Sequence, residues 1–135
     1  MEFSIRSASS SQQMIFSNRD EEHFDVELKG PVSAKIQVYL HPISDEESLK
    51  LLFQELGEFN KPWQGSKNWE SLEGEFTVSI TCSTLGQIVF NIFLRGLSGQ
   101  SEEWKLNCNL ESEFGQLRSI SINANSFFSN EKNAK

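Results

Sequence analysis

Cysteine, histidine and proline are scarce in this chain of 135 residues, which has two, two and three of them. Two cysteines are too few for a disulfide-stapled scaffold. Residues 1–6 lack the basic start and apolar block of a secretion signal. We therefore expect Cys82 and Cys108 to be reduced core residues. If they lie on the outer strands of a three-strand meander, they are about 9–10 Å apart, too far for a disulfide.

Long apolar runs and basic clusters are also lacking. No run approaches the roughly 18 residues that a membrane-spanning helix needs, so we expect a cytoplasmic protein with no membrane partner. The 19 acidic and 12 basic residues give a net charge of −7. This charge disfavours nucleic-acid binding and favours a basic protein partner, although it could also serve only solubility.

The common catalytic signatures are missing as well. The sequence contains no G-x-S-x-G, G-x-x-x-x-G-K, G-x-G-x-x-G or H-E-x-x-H, the patterns of hydrolases, nucleotide-binding proteins and zinc proteases. Neither cysteine has a basic sequence neighbour that would lower its pKa. We therefore expect a protein without enzymatic activity, metal or cofactor.

Aromatic residues are plentiful, with eleven phenylalanines and three tryptophans. This composition is typical of a folded chain with a phenylalanine-rich core. The length fits one domain, residues 1–135, with a polar tail from about residue 129.

Alternating apolar residues predict most of the strands. Residues 72–82, 88–94 and 104–110 form the clearest set, which we interpret as an antiparallel meander, and weaker alternation predicts four strands before residue 41. Residues 61–69 are interpreted as an irregular connector. His41-Pro42 is interpreted as a turn into a helix that Ser44 and Glu47 would cap, with Leu49, Leu52 and Leu56 on its buried side and Gly57 near its end.

The last apolar segment fits two patterns. Ile120 and Ile122 alternate as in a strand, whereas Leu117, Ile120, Ala124, Phe127 and Phe128 follow helical spacing, and we favour the helix. The predicted fold class is α+β, with an antiparallel sheet of about six or seven strands in the order ββββ-α-βββ-α and both helices on one face.

A set of short motifs resembles a family of small bacterial domains of unknown function. The motifs are Trp63-x-Gly65, W-E-S-L-E-G from Trp69 to Gly74, Trp104, Gly115-Gln116-Leu117 and Phe127-Phe128. The resemblance covers about residues 60–129 and implies a bacterial origin and a closing helix, but no activity. Small α+β domains of this kind are similar to immunity proteins that neutralise toxins, an analogy at the level of fold.

Five residues are candidates for binding a partner: Trp63, Asp25, Glu27, Glu73 and Glu75. Trp63 would be either a core residue or an exposed aromatic anchor. Strand register predicts Arg95 beside Glu73 or Glu75 on one side and near Glu103 on the other. Val89, Phe93 and Tyr39 are apolar exceptions on the outer sheet face, which leaves a homodimer or a partner patch open.

Two clusters have both a chemical and a structural interpretation. His23 shares a strand face with Asp25 and Glu27, which permits a metal site but is more typical of a solvated polar face. Glu73 and Glu75 could be a glycosidase-type carboxylate pair or part of a charged surface. We therefore expect a non-enzymatic interaction domain, of immunity type by analogy, that binds a basic protein. The alternative is a small-molecule-binding domain or hydrolase with a pocket between helices and sheet.

Overall fold

The computed structural model describes residues 1–40 and 44–129, and side chains within residues 1–40 and 48–129. The predicted His41-Pro42 turn, the side chains of the Ser44 and Glu47 cap, and the tail beyond Ser129 lie outside this description. The described elements are β1 (Phe3–Arg6), β2 (Gln13–Ser17), β3 (His23–Lys29), β4 (Ala34–Tyr39), α1 (Ser44–Glu58), β5 (Ser66–Glu70), β6 (Phe76–Cys82), β7 (Gln87–Gly96), β8 (Trp104–Glu113), a 3₁₀ turn (Phe114–Gln116) and α2 (Leu117–Ser129).

The strands form two antiparallel sheets, each of four strands in sequence order. We call β1 to β4 the first sheet and β5 to β8 the second sheet. The predicted α+β class is confirmed, but the prediction of one sheet with six or seven strands is wrong. After β4 the next described element is α1. At the end of β4, the Tyr39 backbone N–H points away from β3 and donates to the Glu75 carboxylate.

The strand that the sequence analysis missed is β5, within the supposed connector. It pairs with β6, with Trp69 opposite Val78, yet Trp69 is its only buried residue. A five-residue strand with one buried side chain cannot produce an alternating pattern. Pro62 and Gly65 just before it made the segment resemble a loop.

Both predicted helices are present. α2 buries Leu117, Ile120, Ala124, Phe127 and Phe128, so the helical interpretation is confirmed. α1 continues through Gly57 and ends at Glu58, close to the predicted end. A Cβ at Gly57 would lie 2.4 Å from the Ser121 Cβ, so the glycine is needed for the close approach of α2.

Phenylalanine rings fill the space between the sheets and the helices. Phe16 of β2 is surrounded by six other phenylalanine rings at centroid distances from 5.2 to 6.2 Å. They come from both sheets and both helices: Phe3, Phe24, Phe53, Phe76, Phe127 and Phe128. The core is thus one continuous cluster.

Two long-range contacts fix the ends of the chain. The backbone N–H of Ala8, just after β1, donates to the Glu111 carbonyl oxygen of β8 at 2.8 Å. Arg19 Nε donates to the Phe127 carbonyl oxygen of α2 at 2.7 Å. Each joins the first sheet to an element near the far end of the sequence.

None of the described helices has the length and apolar character needed to cross a bilayer.

We expect Phe16→Ala to lower the free energy of unfolding by about 3–5 kcal/mol, because it leaves a cavity bordered by rings from five elements. Ile15→Ala, which truncates the next side chain on the half-buried outer face, is the control and should cost about 1 kcal/mol or less. Urea denaturation measures both. Equal losses in the two variants would contradict the central role of Phe16.

Candidate functional site

A cleft of about 340 Å³ lies where the edge of the first sheet meets one end of the second sheet. We call it the seam cleft. Lys35, Ile36 and Gln37 of β4 form one wall. The other wall is built from the ends of the second-sheet strands and their turns: Glu73, Glu75, Arg95, Gly96, Leu97, Ser98 and Trp104. The structure therefore brings Glu73 and Glu75, two of the five predicted residues, to one site.

Glu75 links the two walls. Its Oε2 accepts the backbone N–H of Tyr39 at 2.9 Å, and its Oε1 accepts the Ser71 hydroxyl at 2.5 Å. Ser71 is only 3 % exposed, and its oxygen accepts the Phe76 N–H at 3.1 Å. One carboxylate thus connects the edge strand of the first sheet to a buried turn of the second.

Arg95 has the surroundings that the strand register predicted. Its Nη2 donates to the Glu73 carbonyl oxygen at 2.9 Å, its backbone N–H donates to the Glu75 carbonyl oxygen, and its Nε lies 3.9 Å from Glu103 Oε2. That prediction is confirmed. The guanidinium is engaged with the wall of the cleft and is partly neutralised by Glu103.

Trp104 completes this wall by lying flat on a glycine. Gly96 is its cross-strand partner, and a Cβ at Gly96 would lie 2.2 to 2.3 Å from the indole ring. Any larger residue would displace the ring. The half-buried tryptophan therefore offers a fixed aromatic surface to the cleft.

Lys35 and Arg95 line the cleft together with Glu73 and Glu75, but each of these bases already lies near another acid, Asp25 or Glu103. Glu70, Glu73 and Glu75 form no ion pair with a described residue. Apolar side chains lie beside these acids: Leu72 is 54 % exposed in the turn that carries Glu73, and Leu97 and Tyr39 are also exposed. Carboxylates next to exposed apolar groups are suited to binding cationic, partly apolar surfaces.

Asp25 and Glu27 lie one strand behind this site, on the outer face of the first sheet. Asp25 Oδ2 accepts the Asn18 side-chain amide at 2.8 Å and lies 3.8 Å from Lys35 Nζ. Glu27 is the register partner of Lys35. Lys35 thus separates these two acids from Glu73 and Glu75.

Trp63 does not have the exposed position that an anchor requires. It is 8 % exposed and stacks on Phe59 with 4.7 Å between ring centroids. The core alternative is correct, because the connector folds back over the end of α1. We therefore do not retain Trp63 in the candidate site.

The other apolar candidates do not form one patch. Val89 and Phe93 are half-buried on the outer face of the second sheet, whereas Tyr39 belongs to the edge of the first. The predicted patch assumed a single sheet. The division into two sheets separates its members.

The histidine and cysteine candidates show no catalytic arrangement among the described residues. His23 Nδ1 lies 3.0 Å from Asp20 Oδ1, and no metal-binding group of three such side chains occurs in the described parts. The backbone N–H of Glu22 is the main cause that lowers the pKa of Asp20. Burial raises the pKa of the free Cys82 and Cys108 thiols, which reduces their nucleophilic form.

Sequence analysis missed Ser71, Trp104 and the Tyr39 backbone N–H as parts of the site. The turn did have a signal in the sequence, the spacing of Ser71 and Gly74. In the structure Gly74 has φ +75°, and its N–H donates to the Ser71 carbonyl oxygen. A glycine three residues after a serine is typical of such a turn. The contact between Tyr39 and Glu75 joins the two sheets and leaves no pattern in the sequence.

One family model matches the chain, over residues 5–131, and its description is a family of unknown function. No curated protein and no solved structure matches the chain.

We expect Trp63→Ala to lower the free energy of unfolding by about 3–5 kcal/mol, as for other buried aromatic truncations. Leu72→Ala, at an exposed position, is the control and should change it by about 0.5 kcal/mol or less. Chemical denaturation distinguishes the two. An unchanged midpoint for the Trp63 variant would show that the ring is not part of the core.

Glu75→Ala should cost about 1–3 kcal/mol, because the buried Ser71 hydroxyl and the Tyr39 N–H both lose their partner. Glu73→Ala removes an exposed carboxylate for which we find no such bond, and serves as the control. Amide exchange measured by NMR should show faster exchange at Tyr39 in the Glu75 variant only. Unchanged exchange at Tyr39 would contradict the bridge.

Proposed function

The chain belongs to this family, DUF6228, and we propose that it is a non-catalytic protein-interaction domain that binds a basic protein partner at the seam cleft. The carrying observation is the set of carboxylates at Glu70, Glu73 and Glu75, for which no described cation is a partner. A cationic partner would supply the missing counter-charges.

The remaining charge of the chain supports the same choice of partner. The net charge of −7 attracts a basic protein over a distance of about one Debye length, roughly 8–10 Å at ordinary salt. Within that range the rim would orient the partner. The exposed apolar groups at Tyr39, Leu72 and Leu97 would add contact area that is insensitive to salt.

The alternative of a small-molecule-binding domain or hydrolase has less support. Its pocket was expected between the helices and the sheet, where the described side chains instead pack phenylalanine on phenylalanine, such as Phe53 on Phe16 and Phe128 on Phe24. His23 lies at the surface beside Asp20 rather than in such a pocket. His41, the other candidate, lies outside the described residues.

An immunity-type role is an analogy that the small α+β plan and the acidity support. In that role the partner would be a basic toxin, and the seam cleft would bind the cationic surface of that toxin. Self-association into a homodimer is a separate proposal that the exposed apolar groups leave open.

The proposal is tested by retention of partners from native lysate on tagged protein, washed at low and then at high salt. We expect one basic protein that is retained at low salt and released at high salt. Glu73→Gln with Glu75→Gln should reduce its retention severalfold. The matched control, Glu2→Gln with Glu58→Gln, makes the same change in charge at exposed positions outside the cleft lining.

Two results would refute the proposal. An empty bait at both salt concentrations would remove the constitutive partner. Equal retention by the cleft variant and the matched control would show that net charge, rather than the seam cleft, governs binding.

A further inference from the structure

The outer edge of β4 has no strand beside it. β4 is the last strand of the first sheet, so one side of its backbone pairs with β3 and the other faces the seam cleft. At Tyr39 this outer side is closed by the Glu75 carboxylate, which accepts the backbone N–H. The Glu75 side chain thus satisfies the Tyr39 N–H and no other backbone donor of β4.

The residues before Tyr39 present the same outer side. In an antiparallel ladder, residues two apart direct their N–H and C=O groups to the same edge. Leu40 N–H points the opposite way, toward the Glu22 carbonyl oxygen, which fixes the phase. The backbone groups of Lys35 and Gln37 therefore point into the cleft, and no described residue bonds them.

Other edges of the two sheets make contacts over part of their length. Beyond β1, the Ala8 N–H donates to Glu111 of β8, so these two edges meet each other. On β5, the buried Trp69 side chain donates through Nε1 to Ser48 of α1 at 2.8 Å. Among the described edges, the β4 edge is the one whose outward strand-pairing groups line the seam cleft.

The cleft beside this edge suits an extended chain. Its far wall has the flat indole of Trp104 and the exposed Leu97, which suit apolar side chains, while Glu73 and Glu75 stand at the rim. An added strand lies about 4.8 Å from its neighbour and sends alternate side chains to opposite faces. A segment with alternating apolar and basic residues would match both features.

We propose that the partner binds by strand addition, with an extended basic segment pairing with the backbone of Lys35 and Gln37 in the seam cleft. The segment would extend the first sheet by one strand. Glu75 would mark the end of the pairing, because it already occupies the next donor at Tyr39. This inference rests on the proposed function and specifies its binding mode.

Gln37→Pro is the variant that isolates the backbone contribution. Proline removes the N–H of residue 37, which is not used in the β3 ladder, and such edge positions tolerate proline. Gln37→Ala keeps the N–H and serves as the control. Circular dichroism and the melting temperature verify that both variants fold.

The probe is an acetylated octapeptide of alternating lysine and valine, labelled for fluorescence anisotropy. Successive residues of an extended strand direct their N–H groups to opposite edges. Methylating the backbone nitrogen of every valine therefore blocks one edge of the peptide, and methylating the backbone nitrogen of every lysine blocks the other edge. The two isomers have equal charge and an equal number of methyl groups.

We expect the wild-type chain to bind the unmodified peptide and to lose about tenfold in affinity for only one isomer, since two or three hydrogen bonds are lost. Gln37→Pro should lose about tenfold for the unmodified peptide, and Gln37→Ala less than about twofold. In the wild-type chain, the amides of Lys35 and Gln37 should exchange more slowly when the peptide is bound. That readout needs no substitution.

Failure of this inference can be separated from failure of the proposed function. Strand addition is refuted if both methylated isomers bind the wild-type chain as tightly as the unmodified peptide does, and if Gln37→Pro and Gln37→Ala bind that peptide as tightly as the wild-type chain does. Recognition by the acidic residues still stands in that case if Glu73→Gln with Glu75→Gln weakens binding. If the peptide does not bind and the lysate yields no salt-sensitive basic partner, both are refuted. If the lysate partner is retained equally by Gln37→Pro and Gln37→Ala, strand addition alone is refuted.

Discussion

The packing of Phe16 holds the two sheets and the two helices in one arrangement. Its ring contacts Phe3 and Phe24 within the first sheet, Phe76 in the second, and aromatic rings of both helices. The two sheets share no ladder, and a backbone hydrogen bond from Ala8 to Glu111 joins them at one end, so side-chain packing must set most of their relative position. Close-packed rings have few alternative fits, which makes this packing specific as well as stabilising.

The seam cleft follows from that constraint. It exists because β4 and the end of β7 approach each other without pairing, at a separation that the aromatic core determines. Glu75 then fixes the approach on the outside through Tyr39 and Ser71. A carboxylate used in this way contributes to structure and to the acidity of the rim together, so the site is rigid on the side where a partner would bind.

The sequence predicted local elements well and their assembly poorly. The helical stripe of α2 was correct to the residue because five buried side chains repeat at a helical spacing. β5 was missed because one tryptophan carries its whole burial signal, and Trp63 stayed undecided because an aromatic residue in a loop has no period. Alternation predicts faces within a strand, but not whether two sets of strands share one ladder. The hydrogen bond from Tyr39 to Glu75 joins the two separate sheets, so neither this bond nor the seam cleft could be predicted while the strands were assigned to one sheet.

The contacts between the two ends of the chain have a consequence for the order of folding. Glu111 N–H donates to Ser7 Oγ across 104 positions, and Arg19 reaches Phe127 across 108. Such closures cost loop entropy before they are rewarded, and chains rich in them fold slowly. During synthesis the first sheet would emerge with β1 uncovered, since β8 and α2 are made after it. Until α2 has been made, the first half of the nascent chain would therefore expose a strand edge and phenylalanine rings, the kind of surface that favours aggregation.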